Sequence, residues 1–197
     1  MSTGPSGRGK GAAEVRIIGG KWKRRKLAVA DVPGLRPTAN RLRETLFNWL
    51  QFDIEGLRCL DLFAGTGALG LEALSRGAGH CTFVETDARA LRTLRANIAL
   101  LDAQAQADLL QTQALNALAA PGPAYDLVFI DPPFAAELWA PVLAALPPRL
   151  NPGARVYLER PSRYSAPWAR GWEVLRESRA GEALGALLIP DSGELHP

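Results

Sequence analysis

Cysteine and histidine are scarce in this chain, two of each, and their scarcity removes several kinds of chemistry. Cys59 and Cys81 form no C-x-x-C and fall on runs that read as neighbouring strands, so they are expected to be small buried apolar residues. Neither a disulfide framework nor a metal centre is expected from them. His80 opens an apolar run and reads as structural, and neither it nor His196 is placed to act as the acid of a hydride transfer. No apolar run approaches the roughly 18–20 residues of a membrane span, and the start MSTGPSGRGKGAAE lacks the apolar stretch of a signal peptide. A cytoplasmic protein, monomeric and without membrane contact, is the expectation. Lysine is absent after Lys26, with all four (Lys10, Lys21, Lys23, Lys26) near the start.

Hydrophobic residues make up 47% of the 197 positions, enough to bury one sizeable core and to exclude a disordered or fibrous chain. The net charge of +3 is unevenly spread, residues 1–50 carrying +8 and the remainder −5. A basic N-terminal region on a mildly acidic body points to a local polyanion contact. Residues 1–13, rich in Gly, Ser, Lys, Arg and Pro, read as a disordered tail. Residues 14–51 read as a separate basic unit and residues 52–197 as the main domain.

In the basic unit, β-prone runs around Val15–Ile18 and Leu27–Ala30 flank a segment with Gly19, Gly20 and Trp22, which predicts a hairpin or small β-unit. Pro33, Gly34 and Pro37 mark a loop. Thr38 then reads as the N-cap of a helix over about 39–51, with Leu42, Leu46, Phe47, Trp49 and Leu50 on its apolar face. Arg41 and Arg43 near its start oppose the helix dipole unless an anion lies close by. From Leu57 onward strand and helix patterns alternate: RCLDLF, HCTFVE, ADLLQT, YDLVFID and ARVYLE are the strands, and the end reads as two further β-runs about Ala180–Gly181. This predicts an α/β doubly wound, mostly parallel seven-stranded sheet with an antiparallel last strand, preceded by the small basic hairpin and helix.

Two motifs carry the chemistry. DLFAGTGALG contains G-x-G-x-x-G (Gly65, Gly67, Gly70) between a strand and a helix, the opening of a nucleotide-binding unit. Glu85, twenty residues after Gly65 at the end of the second strand of the sheet, is placed to accept hydrogen bonds from ribose hydroxyls. A nicotinamide dehydrogenase fits as well up to this point. Asp61 separates the readings, because a carboxylate at the first strand's end suits a cationic or amino-bearing ligand and not a pyrophosphate. Little chain remains, moreover, for a dehydrogenase substrate domain.

The second motif, Asp131-Pro132-Pro133-Phe134, ends the strand YDLVFI. Two prolines fix φ and remove two backbone donors, leaving an acceptor-only arc. Such an arc suits an exocyclic amine: hydrogen bonds from its two N–H groups to Asp131 and the Pro132 carbonyl favour the pyramidal nitrogen that attacks a methyl group. Positioning and complementarity to the developing ammonium then suffice for catalysis. Phe134 is expected to stack on a base taken out of its helix or loop.

The residues D-x-F-x-G-x-G at 61–67 with Glu85 resemble the cofactor loop of Rossmann-like S-adenosyl-L-methionine (SAM) methyltransferases. That resemblance implies SAM as cofactor, held by Asp61, Phe63, Ala64, Gly65 and Gly67, with Asp61 and Gly65 beside the methionine part, Glu85 at the ribose and Gln113 near the adenine. DPPF resembles the [DN]-P-P-[FY] signature of amino-methyltransferases, whose members methylate adenine N6, guanine N2, cytosine N4 or a protein glutamine amide. The order RIIGGKWKRRKL, GLRPTANRLRETLFNWL, DLFAGTGALGLEALSRGA and DPPF resembles the RsmD family, bacterial guanine-N2 methyltransferases of 16S ribosomal RNA, over about residues 14–160. By that resemblance the partner is 16S rRNA in the assembled small ribosomal subunit. Lys21, Trp22, Lys23, Arg24, Arg25 and Lys26 would contact RNA, and Arg36, Thr38, Arg41 and Arg43 would border the target nucleotide or cofactor. The alternatives are an adenine-N6 DNA or RNA enzyme, a protein-amide methyltransferase, or a noncatalytic RNA-binding assembly factor. A DNA enzyme usually needs a recognition domain for which this chain has no room, and RNA binding alone requires none of Asp131, Glu85 and Gly67.

Overall fold

The computed structural model describes residues 14–30, 40–133, 138–163 and 170–191. The tail 1–13 and the positions Arg36, Thr38 and Phe134 lie outside the described residues. Two short strands, β1 (Glu14–Arg16) and β2 (Lys26–Ala28), pair antiparallel with Val15 opposite Leu27, forming the hairpin read from the sequence. Helix α1 follows at Asn40–Trp49. The chain then alternates as anticipated: β3 (Arg58–Asp61), α2 (Ala68–Ser75), β4 (His80–Glu85), α3 (Ala88–Leu100), β5 (Ala107–Gln111), α4 (Ala114–Ala119), β6 (Tyr125–Ile130), α5 (Trp139–Ala145) and β7 (Leu150–Pro161). It closes with the hairpin β8 (Trp172–Ala180) and β9 (Ala183–Pro190).

The seven-stranded sheet has the order β5-β4-β3-β6-β7-β9-β8. The pairs among β3 to β7 are parallel, whereas β9 lies antiparallel between β7 and β8. The last strand is therefore inserted rather than added at the edge. Strand β7 runs beyond the ARVYLE segment because β9 pairs with it as far as Pro161. Order reverses between β3 and β6, which opens the crevice at their carboxyl ends where such sheets bind ligands.

Both sheet faces are covered, so the central strands are apolar without alternation, and Leu127 to Ile130 are all fully buried. One face packs Phe47, Leu71, Leu74, Phe83, Phe129 and Tyr157 into a cluster. The other gathers Leu60, Val84, Val128, Ile130, Trp139 and Leu188. Val15, Ile17 and Leu27 of the hairpin and Leu46, Phe47 and Leu50 of α1 belong to the first cluster. The basic N-terminal unit thus shares a core with the sheet.

Polar anchors fix the hairpin to that core. Every residue of α2 is buried, including Glu72, whose carboxylate accepts from the Ile18 and Gly19 amides at 2.7 and 2.8 Å and from Arg76 Nε at 2.7 Å. Ser75 Oγ donates to the Gly19 carbonyl at 2.6 Å and accepts from the Trp22 amide at 3.0 Å. Gly20 has φ +74° and lies so close to the Ser75 carbonyl that a Cβ there would collide with backbone. These glycines permit close docking as well as a turn. On α3, Asn97 Oδ1 accepts from the Ala28 amide at 2.9 Å, while its Nδ2 donates to the carbonyls of Ala28 and Thr66 at 3.0 and 3.2 Å. One buried amide side chain therefore links hairpin and glycine turn.

Candidate active site

The three glycines of the G-x-G-x-x-G turn do different jobs. Gly65 (φ 52°) and Gly67 (φ 81°) occupy the left-handed region, which L residues enter only at a cost. Gly70 lies within α2, where an added Cβ would strike the Phe83 ring and approach Cys81 Sγ to 2.7 Å, so its lack of a side chain lets the helix rest on β4. The turn is closed by the Gly67 amide donating to the Ala64 carbonyl at 2.7 Å and is joined to β4 by the Ala64 amide on Val84 O at 3.0 Å. Phe63 is half-buried and Ala64 is buried. Glu85 holds the turn from the next strand, accepting from the Gly65 amide at 2.9 Å and the Asp87 amide at 2.8 Å. Gln113 is exposed and stands at the N-cap of α4, just past edge strand β5, without a side-chain capping bond.

Strand register places a row of carboxyl groups on one face at the crevice. Asp61 of β3 pairs with Phe129 of β6, and Phe129 pairs with Tyr157 of β7. Side chains alternate along a strand, so Asp131 and Glu159, each two residues on, follow on that same face. Asp61 is 2% exposed and accepts from the Gly70 amide at 3.1 Å. Burial pushes its carboxyl up to about 7; the charges of Asp131 and Glu85 add to the rise, while the Gly70 and Phe63 amides oppose it. Glu159 is also buried and accepts from the Tyr157 hydroxyl at 3.0 Å. Burial first and the Asp131 charge second push its carboxyl up to about 8, against the Tyr157 bond. Among the described residues no Lys or Arg forms an ion pair with Asp61, Glu85 or Glu159. Closely spaced acid without matching base favours a cation. Asp131 is half-buried, Pro132 buried and Pro133 exposed.

The basic segment faces solvent. Lys21, Lys23, Arg24, Arg25 and Lys26 are all exposed. Trp22 is half-buried against the first apolar cluster, with Lys21 Nζ 4.3 Å above its ring, so one stacking face is already covered. Arg41 is exposed on α1. Arg43 needs correction as a nucleotide contact: it is 1% exposed and its Nη2 donates to the Arg16 carbonyl at 2.6 Å. Desolvation lowers its pKa, the Glu72 charge raises it and Arg76 lowers it. It ties α1 to β1 and supplies no surface charge.

Sequence reasoning missed Glu159, Tyr157, Glu72 and Asn97. The signal for two of them was a lone acid within a continuously apolar element, VYLE in β7 and ALGLEALS in α2. The cysteines behave as anticipated, both buried and unbridged, opposite each other in the β3–β4 register. His80 begins β4 with its Nε2 3.4 Å from Asp108. No group of potential metal ligands occurs among the described residues, and none of the described helices is long and apolar enough to cross a membrane.

Comparison with known proteins agrees with this geometry. Residues 15–188 match the family described as Conserved hypothetical protein 95. The chain is 43% identical over 175 residues to ribosomal RNA small subunit methyltransferase D of Escherichia coli (strain K12), covering 87% of this chain and 88% of that one. It is 41% identical to the Haemophilus influenzae protein of the same name, with 85% and 90% covered. The solved structure of yhhF from Escherichia coli superposes with a TM-score of 0.79 at 39% identity, covering 89% of this chain and 97% of that one. The crevice, the glycine turn and the length of the match together make this chain a member of the RsmD family.

Proposed function

We propose that the chain transfers a methyl group from SAM to the exocyclic N2 amine of a guanine in 16S ribosomal RNA, acting on the small ribosomal subunit. The observation that carries this reading is Asp131, set at the end of β6 before two prolines and one strand away from the Asp61–Gly67 turn. The names of the relatives, ribosomal RNA small subunit methyltransferases, support RNA as the substrate.

Asp61 and Glu85, which form no ion pair with Lys or Arg among the described residues, fit a cationic nucleoside. Glu85 would accept from the ribose hydroxyls, Gln113 would lie at the adenine, and Phe63, Ala64, Gly65 and Gly67 would shape the methionine side, with Asp61 acting as a charge beneath the turn. SAM when bound supplies an electrophilic methyl group on a sulfonium. Asp131 and the Pro132 carbonyl accept the two N–H bonds of the target amine, hold its nitrogen pyramidal and offset the positive charge that gathers on it. Lys21 and Lys23 to Lys26 bind phosphates, with Trp22 beside them and Arg41 exposed on α1. Arg36 and Thr38 belong to the same basic unit in this reading.

The raised Asp61 pKa gives a pH dependence. Between roughly pH 4 and 7 the unfolded chain has lost this proton while the folded chain keeps it, so this group's contribution to stability falls as pH rises. A bound cation favours the ionised form, so cofactor affinity should increase through the same upper range and binding near pH 6 should release a proton. Calorimetry should find SAM bound about three- to tenfold more tightly at pH 7.5 than at pH 6. The demethylated product, lacking the sulfonium charge, should respond less, and Asp61→Asn should flatten the trend. A flat wild-type profile contradicts this account of Asp61.

Neutralising Lys23, Arg24 and Arg25 together should raise the apparent KM for the ribosomal substrate and reduce its salt slope by about two to three units. An unaltered slope would return that run to a solvated face. The reading as a whole is tested by the modified nucleoside formed on small subunits: N2-methylguanosine is expected, and N6-methyladenine as the sole product opposes it.

A further inference from the structure

The mechanism proposed above does not use Glu159 or Tyr157, yet the register puts both on the sheet face that carries Asp61. Glu159 follows Leu158 on β7 and Asp131 follows its partner Ile130 just past β6, and neighbouring strands are about 4.7–4.9 Å apart, close enough for the Asp131 charge to act on Glu159. Its position is tightly determined. The Tyr157 hydroxyl donates to Oε2 at 3.0 Å, and Trp139 Nε1 of α5 donates to its backbone carbonyl at 2.8 Å. Opposite it on β9 stands Gly185, where a Cβ would come within 2.6 Å of the Tyr157 hydroxyl. A glycine, a buried phenol and an indole N–H thus hold a carboxyl group that apolar packing alone would not require, and burying one costs free energy unless it is used or paired.

We propose that Glu159 is the positioning residue behind Asp131: held by Tyr157, it receives through Asp131 the proton that the target amine loses on methylation. This rests on Asp131 being the amine acceptor. In the step, the nitrogen lone pair forms the N–CH3 bond as the sulfonium S–CH3 bond breaks and sulfur keeps that electron pair. One N–H proton passes to the Asp131 carboxylate and from there to the ionised Glu159 carboxylate, whose protonation leaves Asp131 charged for the next turnover. A carboxyl group raised toward neutrality is the better resting place for that proton, since a proton acceptor works best with its pKa near the working pH.

Among the described residues the charged neighbours are few. Asp131 faces Glu159 from β6, Asp61 lies one strand further on β3, and Tyr157 shares its strand. Strand β9 and helix α5 carry no titratable side chain. Arg160 points to the opposite side of β7, and its only coulombic partner among the causes of its shift is Glu177 of β8. On α1, which packs on β8 and β9, the described ionisable groups are Arg41, Arg43 and Glu44.

Single-turnover rates at saturating SAM, measured on small ribosomal subunits from pH 6 to 9, test the proposal. The wild type should show a rising acid limb. Glu159→Gln should lose that limb and run at least about tenfold slower at pH 8. Tyr157→Phe removes the donor that favours the ionised carboxylate, so its limb should move to higher pH. Infrared spectroscopy of the cofactor-free protein near pH 7 should show a protonated carboxyl band that Glu159→Gln lacks. A wild-type limb retained unshifted in both Glu159→Gln and Tyr157→Phe overturns the proposal while leaving Asp131 in its role. Turnover by Asp131→Ala at the wild-type rate overturns both readings. Should Glu159→Gln melt early, the limb of Tyr157→Phe still decides, a shift to higher pH supporting the proposal and an unshifted limb overturning it.

Discussion

Asp131→Ala should lower the methyl-transfer rate by about 10²–10⁴-fold, while cofactor affinity stays within a few-fold of wild type. The two effects separate because Asp131 follows β6, whereas the residues that would hold the cofactor lie at the end of β3, in the turn after it and at the end of β4. Removing the side chain deletes the anion opposite the developing ammonium and leaves the glycine turn and its Glu85 bonds intact. Asp131→Asn, which keeps an acceptor oxygen but not the charge, should fall between the two. Its residual rate would measure how much of the effect is hydrogen bonding and how much is charge. Single-turnover kinetics beside calorimetry make the comparison, and full activity in the alanine variant would remove Asp131 from the chemistry.

Glu72→Ala should produce the largest loss of stability. The carboxylate is fully buried and holds two backbone amides of the hairpin together with the Arg76 guanidinium. Deleting it leaves a cation and two N–H donors in a site built for an anion, at a cost of about 3–5 kcal/mol. For a chain of this size each kcal/mol moves Tm by roughly 2–4 °C, so a drop on the order of 10 °C is expected. Hydrogen exchange should accelerate first at Ile18 and Gly19. Neutralised phosphate contacts, by contrast, should leave the melting curve nearly unchanged, which distinguishes anchoring from binding within the same basic unit. A melting point within a degree or two of wild type would mean that the hairpin is held mainly by Val15, Ile17 and Leu27.

Much of this arrangement could be read from the sequence because local patterns decide it. Apolar runs alternating with helix-period segments marked the first five strands of the sheet, the β-runs about Ala180–Gly181 marked the last two, and the glycine spacing placed the turn. Side-chain destinations were harder to read. Arg43 was expected to border the target nucleotide or cofactor, although it lies three and four residues before Leu46 and Phe47, on the same helical face, and the structure buries it there. Gly19 and Gly20 read as turn residues, but contact with α2 also constrains them, and no local rule reveals a partner more than 50 residues away. Glu159 escaped for a similar reason: Asp131 is brought beside it only through the β6–β7 register.

The most direct measurement is methyl incorporation from labelled SAM into small ribosomal subunits, naked 16S rRNA and duplex DNA in parallel, with Asp131→Ala as control and nucleoside analysis of each product. The account predicts N2-methylguanosine from ribosomal material only, more from subunits than from naked RNA, and none with the variant. Label in DNA as N6-methyladenine, or equal label with wild type and variant, would contradict it.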